Sequence, residues 1–407
     1  MKLCLVTAFP PGTGRLNEYG FHIATALRKD PEVELTILAD TLPTAKSELP
    51  GFEVRRTWSY NSLRNPVLLL RAIRQCKPDV VWFNLVFPSF GDMAAPAFLG
   101  LCIPALTRAA GYSSHVTLHH LMESVNFEDA GVRHPRLYRW GGRLATRALL
   151  LSHSVSVLLP GFQRILAESY KAKNALLRFH GIFSDAPVPP DFSLRGNPPR
   201  ILVMGEWGTY KRLETLVEAF KILKQDDERT ELVIAGRNHP VTPSYIEGIM
   251  QICRSAGRIR FTGYVPEPEI AALFRTVNVL VLPYSSGCGA SGVAHLACEH
   301  GLPIISSGLK EFQEMGAAEG MAIDFYRTND PADLARKLRD LLDSPKRQQA
   351  MSEVNYQAGL SMRMSSIVAD YKRSFMPQSV QETAEAEVVR PAKTFAWSKS
   401  ANKLTEE

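Results

Sequence analysis

Three groups of residues have types and settings that could do chemistry: Ser291, Gly292 and Val293, then Lys211, then His119 beside His120. The first group lies in LPYSSGCGASGVAHLACEHGLPIIS, residues 282–306. An apolar run over 277–282 gives way to six small or flexible residues, and a helical pattern then runs from Ser291 to His300 until Gly301-Leu302-Pro303 stops it. A buried strand, a glycine-rich turn and a helix start together make a seat for an anion. Unpaired N–H groups converge there and the helix dipole favours negative charge. A plain strand-to-helix connection reads the same way, so the rest of the chain must decide. Lys211 closes the turn GEWGTYK after the apolar stretch 201–204. His119 and His120 close the apolar stretch 115–118, and ligands of open α/β sheets bind beyond such strand ends. A partly exposed structural histidine is the competing reading. Arg136, Arg139, Arg143 and Arg147, spaced three, four and four apart, form one stripe of a helix beside Trp140 and Leu144. That stripe is either a solvated face or a surface for anionic lipid or a phosphate-bearing acceptor.

These residues need elements to hold them. Strands are expected at 2–8, 33–39, 80–83, 115–118 and 153–159, with a helix over 18–29 whose Phe21, Ile23, Ala24 and Leu27 face a core. The first turn, Pro10-Pro11-Gly12-Thr13-Gly14, is glycine-rich, but its spacing is not GxGxxG and no acidic residue completes a dinucleotide fingerprint. Residues 185–199, DAPVPPDFSLRGNPP, hold five prolines and read as a linker. A second alternating series follows: strands at 201–204, 232–235, 259–261 and 277–282, and helices after 212, over 243–256 and over 268–276. In the helix after 212, Leu213, Leu216, Val217, Phe220 and Leu223 recur at helical spacing. The alternation predicts an α/β protein of two doubly wound domains with a cleft between them. The boundaries are 1–184, linker 185–199, a second domain 200–350, a helix over 351–376 packing back on the first domain, and a disordered tail 377–407.

Composition narrows the class. The 407 residues, 45% hydrophobic and 22% charged, suit two soluble globular domains. No apolar run approaches the roughly 20 residues a membrane span needs, and MKLCLVTAFPPGTG reads as a first strand rather than a signal peptide. Six scattered cysteines without CxxC spacing read as reduced core residues, so a cytoplasmic location is expected. The formal charge of +6 suits anionic ligands or surfaces and does not imply nucleic acid.

The second half also resembles the donor domain of family-four glycosyltransferases, which have the two-domain GT-B fold. The matching blocks are GEWGTYKRLETLVEAFK at 205–221, LVIAG at 232–236, FTGYVPEPEIAALFRTVNVLVLPYS at 261–285 and SGVAHLACEHGLPIISS at 291–307. The first half matches more loosely, through the Gly12–Gly14 turn and the strand ending at His119, so the resemblance spans about 1–375. It implies two Rossmann-like domains facing across a cleft. It also implies transfer of a sugar from a nucleotide-diphosphate donor, with retention and without a bound metal or further cofactor. The acceptor would be a saccharide, a lipid-linked carrier or a small molecule, in cell-envelope polysaccharide or glycoconjugate synthesis at the cytoplasmic side, peripheral on the membrane. Lys211, with Arg212 assisting, and the N–H groups of Ser291, Gly292 and Val293 would hold the diphosphate. His119 would meet the donor sugar and acceptor, with His120 as the fallback in a shifted register. Gly12 and Gly14 would let the first loop approach the diphosphate.

Two departures stand out. Glu206 occupies a place where the family has arginine; it is expected to pair with Lys211 or Arg212, or to touch the acceptor. The family's two glutamates, separated by seven residues, are replaced by Cys288 and Leu296. Glu299 with His295 is the nearest substitute for the ribose or sugar contact, and a solvent-facing pair is the alternative. A non-catalytic nucleotide-sugar-binding subunit, a phosphorylase or an epimerase on the same fold remain competing functions.

Overall fold

The computed structural model describes residues 1–375 except 13, 43–48, 125–134, 226–228, 241, 255–256 and 287–288. Cys288 and the tail 377–407 therefore lie outside the described residues. In the first half, β1 (Lys2–Val6), β2 (Glu34–Asp40), β3 (Glu53–Trp58), β4 (Val80–Leu85), β5 (Ser113–Leu118), β6 (Ser154–Val157) and β7 (Ala175–Leu177) form a parallel sheet in the order β3-β2-β1-β4-β5-β6-β7. The strand order reverses between β1 and β4, which opens a crevice at their carboxyl ends. Every residue of β4, VVWFNL, is buried, as a strand covered on both faces requires. Right-handed crossovers put α1 (Arg15–Arg28) on one face. They put α2 (Asn65–Cys76), α3 (Ala94–Leu101), α4 (Ile103–Ala109), α5 (Pro135–Leu149) and α6 (Pro160–Tyr170) on the other. Ile23, Ala24 and Leu27 of α1 are buried, as their spacing predicts, and Phe21 packs at their edge.

The second sheet has the order β10-β9-β8-β11-β12-β13. It is built from β8 (Arg200–Trp207), β9 (Glu231–Asn238), β10 (Ile259–Gly263), β11 (Val279–Leu282), β12 (Ile304–Ser307) and β13 (Ile323–Tyr326). Its helices are α7 (Leu213–Leu223), α8 (Tyr245–Cys253), α9 (Glu267–Arg275), α10 (Gly292–Glu299), α11 (Lys310–Glu319), α12 (Pro331–Leu342) and α13 (Pro345–Ser361). All five expected apolar positions of α7 are buried.

β3 and β7 have no counterpart in the sequence expectation, and three further differences concern the second half and the crossings between the halves. First, β8 and β9 run three residues past Met204 and Ala235, so Gly205 and Glu206 belong to a strand rather than a turn. Gly205 and Gly236 are paired, and a Cβ on Gly236 would lie 1.8 Å from the Gly205 carbonyl oxygen, so only glycine lets the strands continue together there. Second, the C-terminal helical pattern starts at Pro345, breaks at Met362 and resumes as α14 (Met364–Phe375). The second helix packs on α1, with Tyr371 and Phe375 against Trp82 of the first sheet. Third, the proline-rich stretch is tied down. Arg195 donates to the carbonyls of Phe274, Val277 and Gly301 at 3.2, 2.9 and 2.9 Å. The chain crosses between its halves twice, and the crossings are joined where the Ile182 N–H donates to the Met362 carbonyl at 2.8 Å.

Candidate functional site

Between the two sheets lies a cavity of about 420 Å³, a size that suits a small ligand. The first half lines it with Gly14, Tyr19, His119, His120 and His180, and the second half with Glu206, Lys211, Arg237, Ser291, Gly292, Val293, Leu296 and Glu299. The halves touch at the chemistry, because a Cβ on Gly289 would stand 2.5 Å from the His119 carbonyl oxygen. Gly289 has φ +86°, a conformation glycine adopts without strain.

Lys211 ends a single 3₁₀ turn (Thr209–Lys211), and Arg212 then reverses the chain in the left-handed region, φ 39°. This reversal turns Lys211 inward. It is 4% exposed, and its ammonium lies 5.3 to 5.6 Å from the ring centroids of Trp207, Tyr210 and Tyr284. Three aromatic faces surround the cation and stabilise it. Arg212 is exposed and stands outside the cavity lining, so the structure gives it a backbone role instead of the assisting one expected.

At the opposite wall, His119 follows β5, and its Nε2 meets Asn84 Oδ1 at 2.7 Å. Asn84 Nδ2 donates to Thr7 Oγ1 at 3.0 Å, and Thr7 donates onward to the Ala8 carbonyl. The Asn84 oxygen is thus an acceptor and His119 carries its proton on Nε2, which leaves Nδ1 as a lone-pair acceptor. Burial, with His120 adding a little, depresses the His119 pKa to about 3, so the ring is neutral at pH 7. His120, also depressed by burial, to about 4, lines the same wall beside Phe87. The strand expected at 80–83 continues to Leu85, so Asn84 lies in β4, the place from which it can orient His119.

Ser291 caps α10, and its Oγ accepts from the Ala294 N–H at 3.3 Å. The N–H groups of Gly292 and Val293 belong to the turn that has no intrahelical acceptors. Around the helix, Gly292, Val293, Leu296 and Glu299 form the cavity side. His295 does not join them, contrary to the expectation that it would work with Glu299. Its ring is 1% exposed, with Nδ1 2.8 Å from the Ser291 carbonyl and Nε2 2.7 Å from Glu319 Oε2. Helical spacing places His295 near Glu299 correctly, but Glu319 of α11, which takes the ring's Nε2, holds this edge in the core. The Glu319 carboxylate outweighs burial and raises the His295 pKa. Glu299 lines the cavity, yet its Oε2 accepts from the Phe183 and Ser184 N–H groups at 2.9 and 3.1 Å, so it anchors the crossing chain.

Glu206 has a partner the sequence reading did not weigh. The strand register sets it opposite Arg237, and its Oε1 accepts from Nη2 at 2.7 Å and Nε at 3.0 Å. The carboxylate at the cavity edge is thereby compensated. Gly14, φ +148°, reaches the cavity, whereas Gly12 does not; a Cβ there would meet the Asn17 side chain at 2.6 Å. Tyr19 and His180 line the cavity without having been singled out. Neither sits in a motif, and their rings meet at 4.6 Å only because α1 and the crossing chain converge. Among the described residues, no three histidine, cysteine or carboxylate side chains converge as a metal-ligand set.

Two parallel doubly wound sheets with the site in the cleft between them define a GT-B-fold protein. Residues 188–358 match the model of the family described as glycosyl transferases group 1, and this segment is a group 1 glycosyl transferase domain. No curated protein matches the sequence significantly. Solved structures do. A sucrose-phosphate synthase from Thermosynechococcus elongatus superposes with a TM-score of 0.73 at 17% identity, covering 95% of this chain and 99% of that one. Anabaena Alr3699/HepE in complex with UDP-glucose superposes at 0.65 and 12% identity, covering 95% and 100%. WaaG, a glycosyltransferase involved in lipopolysaccharide biosynthesis, superposes at 0.61 and 12%, covering 91% and 98%. At such identities the likeness establishes the fold.

Proposed function

We propose that this protein moves a sugar from a nucleotide-diphosphate donor to a saccharide, lipid-linked or small-molecule acceptor, with retention and without a metal, in cell-envelope polysaccharide or glycoconjugate synthesis on the cytoplasmic side. The observation that carries this reading is the placement of Lys211 and the start of α10 on one wall of the cavity with His119 on the other. The structural likeness to a protein solved with UDP-glucose supports the donor class. As the glycosidic C–O bond breaks, the nucleoside diphosphate gains negative charge, and the buried Lys211 and the Gly292 and Val293 N–H groups stabilise it there. The acceptor oxygen takes its place at the anomeric carbon, and the hydroxyl proton leaves on the diphosphate. His119, neutral with Nδ1 as an acceptor, orients a sugar or acceptor hydroxyl. Ser291 supports the helix start as its cap, Gly14 admits the donor, and the Glu206–Arg237 pair borders the phosphates.

The test is calorimetric titration of UDP, GDP and ADP into wild type and Lys211→Ala. One nucleotide binds with micromolar affinity, about −8 kcal/mol, and the variant loses about 1.5–3 kcal/mol of it. Failure of all three to bind the folded protein would overturn the reading. Leu296 and the inward-facing His295 favour a second reading, a nucleotide-sugar-binding subunit without transfer activity. Tight binding with no turnover of any donor selects it. Turnover that requires inorganic phosphate selects a phosphorylase.

A further inference from the structure

Cys4 and Cys76 stand far apart in the sequence, with no motif spacing, and the fold brings them together as two free thiols. Strand register puts Cys4 of β1, Thr36 of β2 and Glu53 of β3 in one row. Arg55, two residues further along β3, shares their face of the sheet. The helix α2 covers that face. Its Leu69, Ala72 and Ile73 join Cys4 in one apolar cluster, and its last residue, Cys76, packs at the cluster's edge. There Arg55 Nη1 donates to Cys76 Sγ at 3.3 Å. Glu53 aims that guanidinium, its Oε1 accepting from Nε and Nη2 at 3.0 and 2.6 Å. The Cys4 thiol lies within hydrogen-bonding reach of the Cys76 sulfur, and burial, with Cys76 adding to it, holds Cys4 protonated. Cys76 is half-buried, so a small solute reaches its sulfur, and the Arg55 N–H is placed to hold negative charge there during an attack. A partly exposed cysteine beside a cation, with a second thiol behind it, is the arrangement of an oxidisable pair.

We propose that Cys4 and Cys76 are a redox modification site, which a hydroperoxide converts to a disulfide that fastens α2 to β1. The Cys76 sulfur attacks the peroxide and the O–O bond breaks. One oxygen stays on Cys76 as a sulfenic acid, and the other leaves as water, or as an alcohol from an alkyl peroxide. The Cys4 sulfur then attacks Cys76 Sγ; the S–S bond forms, the S–O bond breaks, and the Cys4 proton leaves with the oxygen as water. The two thiols give up two electrons between them and the peroxide takes them. Because α2 runs back against the strands, Cys76 lies toward their amino ends, and none of Cys4, Glu53, Arg55 or Cys76 lines the cavity at the carboxyl ends. The bond closes residues 4–76 into a loop and restricts the unfolded chain, so it acts on the stability of the first half. The site stands independently of the transferase reading.

The experiment treats the reduced full chain with hydrogen peroxide, digests it without reductant and seeks the Cys4 and Cys76 peptides joined by mass spectrometry, with UDP titrated into the same samples. In wild type the joined peptides form, Tm rises by about 5 °C, and dithiothreitol reverses both. Cys4→Ala abolishes the join and leaves Cys76 as a sulfenic acid that dimedone labels, a signature that loss of packing alone does not produce. Arg55→Gln slows the oxidation about tenfold. Oxidised and reduced wild type bind UDP alike, so a failure of the thiol pair is distinguished from a failure of the donor site. The proposal is overturned if Cys76 stays unjoined and unlabelled, if another cysteine takes the place of Cys4, or if the rate ignores Arg55→Gln. A joined protein whose Tm does not rise overturns it as well.

Discussion

Asn84, a residue that belongs to no motif, sets the protonation of His119. Its carboxamide oxygen holds the Nε2–H, and burial keeps the ring neutral with a pKa of about 3. Asn84→Asp would place a carboxylate in the same position and favour imidazolium, raising the pKa toward its ordinary value. The acid limb of a pH–activity profile should then move to higher pH; coincident profiles for variant and wild type would remove His119 from the reaction. Arg237 acts comparably on Glu206. Arg237→Met takes away that compensation beside the anion seat and should weaken UDP binding about tenfold, with Glu206→Gln added to it restoring most of the loss. Unchanged affinity in the single variant would place the pair away from the phosphates.

Among the elements, the paired glycines of β8 and β9 have the most specific consequence. Because Gly236, φ +116°, lies against the Gly205 carbonyl, Gly236→Ala must push the strands apart over backbone that cannot yield. A loss of about 3 kcal/mol or more in denaturant unfolding is expected. A neutral result would mean that the strands do not run together past Ala235. The length of these strands matters for function, since it brings Glu206 and Arg237 to the cavity edge and starts the turn that buries Lys211. The α10 helix shows the converse. Its register is legible in SGVAHLACEH, but which edge meets the cavity depends on α11, which supplies Glu319 to His295.

For the molecule as a whole, acid is the expected weakness. Burial holds His115 near pKa 3 and His120 and His300 near 4, with His119 again near 3. The unfolded chain protonates these histidines near 6.5 and the folded one resists, so the unfolded state binds more protons below that pH. Stability is therefore full above about 6.5 and falls as pH drops, by up to about 1.4 kcal/mol per unit for each fully buried histidine. His115, between Ser113 and Ser154 and 5% exposed, should show it most fully. Thermal melting between pH 7 and pH 4 tests this, and His115→Gln should flatten the slope. A melting temperature independent of pH over that range would contradict it.

Much of this protein is readable in its residues without coordinates. The alternation of apolar runs and helical patterns announces two α/β domains, and the strand-turn-helix pattern at 277–300 announces the helix start that lines the cavity. That Lys211 and His119 line the cavity is legible because His119 closes an apolar run and Lys211 closes the turn after one, both beyond strand ends where α/β proteins bind ligands. Those signals are local, with periods of two and 3.6 residues, and local geometry suffices to produce them. Tertiary structure alone decides the rest. Whether His295 faces the cavity or Glu319, whether Glu299 meets a ligand or the Phe183–Ser184 backbone, and that Glu206 meets Arg237 depend on contacts between residues 24 to 116 positions apart. The sequence leaves such contacts open, because any edge of an amphipathic helix can be buried until a neighbour arrives to cover it. In this fold, α11, β9 and the crossing chain are the neighbours that arrive.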